Sequence, residues 1–193
     1  SKYAIRSISQ KEIGSSTLGG RKIWFDNTIG KLNHDKRGDY LGSFNTDDCI
    51  LLIKKDGTYH MTSFELTNRY KPEEIFLINK FNSEDIVSAL HFDGKTKSYY
   101  VKRFQIETST LNTPFTFISK ERASKLIAVT LFKSPLLFFN YRLNNGDKKE
   151  KEIMVNDFVG IKGWKAIGNK ILKQKNMSGF KFIKQEIDEE DET

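Results

Sequence analysis

The chain has 193 residues, enough for one domain or for a single domain assembled from repeats. It carries 32 Lys+Arg against 25 Asp+Glu, and six of the acids (Glu186, Asp188, Glu189, Glu190, Asp191, Glu192) follow residue 185 with no base among them, which leaves about +13 on residues 1–185 and favours a polyanion as partner. No apolar run approaches the roughly 20 residues of a membrane span, a lone cysteine (Cys49) precludes an intrachain disulfide framework, and 15 Phe with 7 Tyr against three prolines argue against a disordered chain.

In chain order, strand-like runs fall at Lys22–Phe25, Cys49–Ile53, Tyr59–Phe64, Ile75–Asn79, Ile86–Phe92, Tyr99–Ile106, Leu126–Phe132, Leu136–Leu143, Ile153–Val159 and Phe180–Lys184. Asp56-Gly57, Asp93-Gly94 and Asn145-Gly146 each stand between two such runs and supply the positive φ that a tight hairpin demands. Asn27 and Thr28 mark a fourth candidate turn. In Thr58–Leu66, Tyr59 and Met61 alternate onto one face, which Phe64 and Leu66 rejoin after a slip. Lys71-Pro-Glu-Glu-Ile is the one stretch suited to a helical first turn, or equally to a loop entering a strand. The class is all-β.

The turn glycines stand at 57, 94 and 146, so successive turns are 37 and 52 residues apart. These spacings bracket a four-stranded propeller blade of roughly 40–50 residues. Asp47-Asp48-Cys-Ile-Leu-Leu-Ile, Ser83-Glu84-Asp85-Ile-Val-Ser-Ala-Leu and Ser124-Lys125-Leu-Ile-Ala-Val-Thr-Leu echo one another. A unit of this kind cannot bury its apolar face alone, and stacking about four of them would. A β-sandwich fits the strand count nearly as well.

Metal and nucleophilic chemistry find little support. His34, His60 and His91 are dispersed with no Cys or His at ligand spacing. Cys49 heads an apolar strand, the habitat of an inert thiol. Gly14-Ser-Ser-Thr-Leu-Gly19-Gly20-Arg21-Lys22 departs from a P-loop because Gly20 holds the lysine position and a strand follows. It is either a flexible connection or a place where backbone amides approach a phosphate beside Arg21 and Lys22.

Basic residues gather at strand ends and turns: Lys36-Arg37, Lys54-Lys55, Lys102-Arg103, Lys148-Lys149, and the series Lys162, Lys165, Lys170, Lys173, Lys175. Each pair alone suits a solvated turn, but the collective excess costs self-repulsion that a polyanion relieves. Trp24, Tyr99, Tyr100 and Trp164 either stack on exposed bases or, as such residues more often do, build core. With no base-reading helix in sight, the pattern favours phosphate contact over sequence readout. The acidic end is either a solubilising tail or a tethered competitor for the basic body.

Four segments carry a family resemblance: Gln10-Lys-Glu-Ile-Gly-Ser-Ser-Thr-Leu-Gly-Gly-Arg-Lys-Ile-Trp-Phe-Asp26, Arg37-Gly-Asp-Tyr-Leu-Gly42, Tyr100-Val-Lys-Arg-Phe-Gln-Ile-Glu107 and Phe158-Val-Gly-Ile-Lys-Gly-Trp-Lys-Ala-Ile-Gly-Asn-Lys170. The chain resembles the C-terminal domain of the A subunit of bacterial type IIA topoisomerases, closer to topoisomerase IV than to gyrase. The resemblance implies a β-pinwheel over residues 1–185, a propeller-like disc of roughly four to five four-stranded blades, followed by a disordered acidic tail at residues 186–193. It implies a basic rim that binds and bends duplex DNA without sequence preference. The expected DNA contacts are Arg21, Lys22, Lys31, Lys36, Arg37, Lys102, Arg103, Lys162, Lys165 and Lys170. Gyrase has a glycine-rich basic box for wrapping; the nearest match is Leu18-Gly19-Gly20-Arg21-Lys22, with no preceding base and no closing Gly, which suits a decatenating enzyme better. The fragment would hold no catalytic residue, metal or cofactor, with ATP and Mg expected of the parent enzyme alone. Expected partners are double-stranded DNA, the catalytic part of the A subunit and the ATPase B subunit, in the bacterial cytoplasm at the nucleoid. Because the chain opens on Ser1 with neither Met nor signal peptide, it reads as a piece of something longer.

Overall fold

A computed structural model describes residues 20–186. Its strands are β1 (Arg21–Asp26), β2 (Lys31–Asn33), β3 (Asp39–Phe44), β4 (Ile50–Lys54), β5 (Thr58–Thr62), β6 (Ile75–Lys80), β7 (Ile86–Asp93), β8 (Ser98–Gln105), β9 (Phe115–Thr116), β10 (Lys125–Thr130), β11 (Leu136–Arg142), β12 (Lys148–Met154), β13 (Asn169–Lys170) and β14 (Lys175–Ile183). Helix is confined to a 3-10 turn at Pro72–Glu74 and one turn of α-helix, α1 (Val155–Phe158).

Each hairpin predicted from its turn residues is present, although between β7 and β8 the positive φ falls on Lys97 and not on Gly94 as expected. Asp56-Gly57 joins β4 to β5, Asp93-Gly94 joins β7 to β8, and Asn145-Gly146 joins β11 to β12, all antiparallel. The Asn27–Thr28 turn joins β1 to β2. Four sheets result, in the orders β2-β1-β3, β6-β4-β5-β9, β10-β7-β8-β13 and β12-β11-β14. In every sheet the leading hairpin strand also pairs with a later strand (β3, β6, β10, β14) through an irregular register, a bulge that adds local twist. These later strands touch in series, β3 on β6, β6 on β10, β10 on β14.

Arms exchanged between neighbouring sheets tie the units together. β9 follows the third hairpin but pairs with β5 of the second sheet, and β13 follows the fourth hairpin but pairs with β8 of the third. The second unit reaches the first sheet through Tyr70 N–H to Gly30 O at 2.9 Å and Lys80 Nζ to Ser43 O at 2.7 Å, with no strand donated. Residues 34–38, which join β2 to β3, are too few to donate a strand, and within the described residues nothing follows β14 to complete the fourth sheet. The end sheets therefore have three strands rather than the four expected of each blade.

Side-chain alternation assigns inner strands to two cores at once. Along β4, Ile50 and Leu52 enter a core shared with the first sheet (Ile23, Phe25, Phe44), while Leu51 and Ile53 enter one shared with the third (Val87, Ala89, Phe104). Leu90 and Val101 meet Leu137 and Phe139 of the fourth sheet in a third core. Short apolar runs such as Ile50-Leu-Leu-Ile53 are the signature of strands buried on both faces.

Two sequence expectations need correction. Only Ile153 and Met154 of the Ile153–Val159 run are strand: β12 starts earlier, at Lys148, because the Asn-Gly turn sets its pairing (Arg142 with Lys148) and a largely exposed edge strand needs no apolar residue. After Met154 the chain turns helical with Val155 buried. Phe64 and Leu66 do not rejoin the Tyr59/Met61 face, since β5 ends at Thr62; Phe64 packs on the neighbouring core and Leu66 is 38% exposed.

Glycine is required where an arm crosses a strand. Gly38 has φ +87, and a Cβ there would lie 2.1 Å from Phe25 O; Gly146 has φ +90 but open space around it. We expect Gly38→Ala to cost more than ~2 kcal/mol and Gly146→Ala only about 1 kcal/mol, the αL penalty without a clash. Urea unfolding of the two variants checks this, and equal losses would show that backbone contact at Gly38 is not limiting.

Candidate nucleic-acid interface

The motif between Phe158 and Lys170 is the arm that runs from the fourth sheet onto the outer edge of the third. Val155 and Val159 anchor its start in the third core. Ile161 bridges Arg103 in parallel, Lys162 N–H donates to Arg103 O at 2.9 Å, and β13 closes the arm on Tyr100 and Val101. Asn169 Nδ2 reaches back to Phe158 O at 2.9 Å. Gly168, at φ +95, lies so near β8 that a Cβ would sit 2.2 Å from Val101 O. Lys162, Lys165 and Lys170 are thereby presented on one exposed edge.

Three side chains of the β7–β8 hairpin hold this arm by its carbonyls. Lys102 Nζ donates to Trp164 O at 2.6 Å and to Phe117 O at 2.5 Å. Arg103 donates from one terminal nitrogen to Val159 O at 3.1 Å, with its Nε buried and unpartnered. His91 Nε2 lies 2.8 Å from Ile167 O, an arrangement that makes it the donor. Burial pulls the Lys102 ammonium down to about 8, depresses the Arg103 guanidinium, and lowers His91 below the usual imidazole value.

Lys102 was expected to meet phosphate and cannot: it is 2% exposed, with its ammonium over the Phe104 and Phe117 rings at 5.2 and 5.6 Å. β8 is packed on both faces, so Lys102 points into the second core while Arg103, one residue on, points the other way and is half-buried. Both are clamps on the arm, and Arg103 is at best a partial contact. Sequence reasoning missed this role because the two residues read as an ordinary exposed basic pair.

The remaining expected residues lie on the first sheet. Arg21 and Lys22 are exposed at the start of β1, Lys31 is half-buried on β2, and Lys36 and Arg37 are exposed in the β2–β3 loop. His34 Nδ1 lies 3.2 Å from Lys22 O, tying that loop to β1. Gly20 has φ +67, and a Cβ there would crowd the Ser43 hydroxyl, while Gly19 lies outside the described residues. The ten expected residues thus fall into a first-sheet group and a third-sheet group, minus Lys102. Among the described residues only Arg37 of these has an ion pair, with Asp35 at 3.2 Å. Elsewhere Lys54 and Lys71 share the carboxylate of Glu74, and Lys80 pairs with Asp48.

The aromatics divide similarly. Trp164 meets Tyr59 and Phe115 edge-on at 6.1 and 5.4 Å and carries Lys165 over its ring at 5.1 Å, so it plugs a core. Trp24 packs on Tyr40 at 5.0 Å, and Tyr40 is 52% exposed on the outward face of the first sheet. Burial and the Asp48 charge raise the Cys49 thiol, which keeps it protonated and unreactive. Among the described residues no three His, Cys, Asp or Glu side chains converge as metal ligands, and no helix is long and apolar enough to cross a membrane.

Small antiparallel sheets in series, exchanging arms with their neighbours, define a β-pinwheel. The profile of the topoisomerase C-terminal domain of Bacteroidota matches residues 31–178, and the chain belongs to that family. The crystal structure of the C-terminal domain of DNA topoisomerase IV superposes with a TM-score of 0.54 at 17% identity, covering 76% of this chain and 51% of that one. The chain therefore spans about half the length of that structure. No curated relative matches.

Proposed function

We infer that the chain is the non-catalytic DNA-binding module of a type IIA topoisomerase A subunit, of the topoisomerase IV kind. It holds duplex by its backbone and presents it to the strand-passage gate for relaxation and decatenation. Family membership supplies the topoisomerase context. The observation that carries the reading is the outer edge of the third sheet, where Lys162, Lys165 and Lys170 are exposed with no described carboxylate within ion-pair distance. Such unpaired lysines displace counterions from phosphates. Bending a site of roughly 20–30 bp costs on the order of 1–6 kcal/mol, which added phosphate contacts offset. Strand cleavage and ATP turnover belong to the catalytic A-subunit core and the ATPase B subunit, the module's partners in the bacterial cytoplasm.

The test is affinity for random-sequence duplex between about 50 and 300 mM salt. With four to six phosphates neutralised, log K should fall with log salt at a slope of roughly −4 to −5. A flat response would remove the counterion basis of the reading. A topology assay on the parent enzyme separates relaxation and unlinking from gyrase-type supercoiling.

A further inference from the structure

The β1–β2 and β7–β8 hairpins both close five residues with a bond from the fifth N–H to the first carbonyl, although the aspartate carboxylate accepts from the third residue in one and the fourth in the other. In the first, Gly30 N–H donates to Asp26 O at 2.8 Å and Thr28 N–H to the Asp26 carboxylate; in the second, Lys97 N–H donates to Asp93 O at 2.8 Å and Thr96 N–H to the Asp93 carboxylate. The closing residue is left-handed in both, at φ +70 for Gly30 and +54 for Lys97. Glycine takes that conformation freely, whereas a lysine is strained there by roughly 1 kcal/mol. Retaining a side chain against that strain directs attention to what it faces.

Lys97 borders a cavity of about 370 Å³ between the third and fourth sheets, within the size range of small-ligand sites. Its wall is apolar and aromatic, with Phe92, Tyr99 and Met177, and Lys173 stands with Lys97 on the lining. Tyr99 is braced by Phe92 and Phe180 at centroid distances of 5.1 and 4.7 Å. Asn176, also left-handed at φ +54, adds an amide to the lining. Among the described residues no carboxylate lines the cavity. An aromatic wall with two ammonium groups and no acid suits a planar ring bearing an anion.

We propose that this cavity seats one nucleotide unit, its base against Tyr99 and Phe92 and its phosphate between Lys97 and Lys173. The unit is either an unpaired nucleotide extruded from DNA or a free nucleotide, since both present the same chemistry. The seat adjoins the Lys170 end of the third-sheet edge, since Ile171 N–H donates to Tyr99 O at 2.9 Å, but it is built from other side chains than Lys162, Lys165 and Lys170.

The test titrates the 193-residue chain with a duplex carrying one unpaired 2-aminopurine, with the same duplex fully paired, and with free deoxyadenosine monophosphate followed by saturation-transfer NMR. The comparison variant is Lys97→Gly with Lys173→Gln, which restores the glycine of the first turn, and its thermal midpoint checks the fold. We expect 2-aminopurine quenching and about 10-fold tighter binding of the bulged duplex, both lost in the variant. Saturable monophosphate binding that the variant loses, without preference for the bulge, supports the seat with the free nucleotide as its occupant. Monophosphate binding in a chain that holds no duplex would sink the DNA-binding reading and leave the seat standing. Equal affinity for both duplexes, no quenching and no monophosphate signal overturns the proposal.

Discussion

Lys102→Ala should destabilise the fold by about 3–5 kcal/mol, the largest effect of any single exposed-looking lysine in the chain. The variant loses a buried stem and leaves a cavity, worth roughly 2–5 kcal/mol for long side chains. It also strips the donor from two carbonyls, Phe117 O and Trp164 O, which belong to different arms; a buried orphaned acceptor costs about 1–3 kcal/mol. Lys102→Met keeps the volume and removes a charge that has no described ion-pair partner, so its loss should be smaller. The pH dependence separates the two contributions. With a folded pKa near 8 against 10.5 for the unconstrained group, the unfolded chain binds more protons between those values. Stability of the wild type therefore rises relative to Lys102→Met as pH climbs from 8 towards 10.5, by up to about 3 kcal/mol, and the difference is flat below pH 8. Urea unfolding of both proteins at pH 7 and near pH 10 reads this directly. A constant difference would mean that Lys102 is not held in a desolvated site.

Neutralising the exposed third-sheet lysines should weaken duplex binding by about 100- to 1,000-fold at low salt and make the salt slope shallower by roughly three. The variant is Lys162→Gln with Lys165→Gln and Lys170→Gln, all solvent-facing, so the fold should hold. Lys165 loses its contact with the Trp164 ring, an exposed cation–π pair worth only about 0.5–1 kcal/mol. The control is Lys54→Gln with Lys71→Gln, because both share the Glu74 carboxylate and the trio carries a net charge of only +1; it should change affinity only a few-fold. Equal losses in the two variants would reduce the interface to net charge, and no loss in the first would move DNA off this edge.

Lys102 and Arg103 illustrate why a charge count misreads such a fold. Their adjacency fixes only that they leave β8 on opposite faces. In a sheet with one solvated face, one of them would reach solvent. Here β8 lies between two cores, so Lys102 enters one and Arg103 is half-buried beside the other. Lys162 to Lys170 needed no such context to be exposed, since glycines and polar residues interrupt every apolar run around them.

The local grammar of the fold was legible in the chain alone. Asp-Gly and Asn-Gly placed the hairpins, short apolar runs marked strands covered on both sides, and the turn spacing indicated repeated units, because each signal depends on backbone preference and on neighbours a few residues away. Strands β2, β3, β9, β12 and β13, all at sheet edges, escaped notice since edge pairing is set by turns and by distant strands and leaves side chains free to be polar. Which arm pairs with which sheet, which lysine becomes a clamp and which remains in solvent were decided only by tertiary structure. Burial depends on the distant strands that close over a residue: Phe117 and Trp164, 15 and 62 positions from Lys102, supply the carbonyls that hold it.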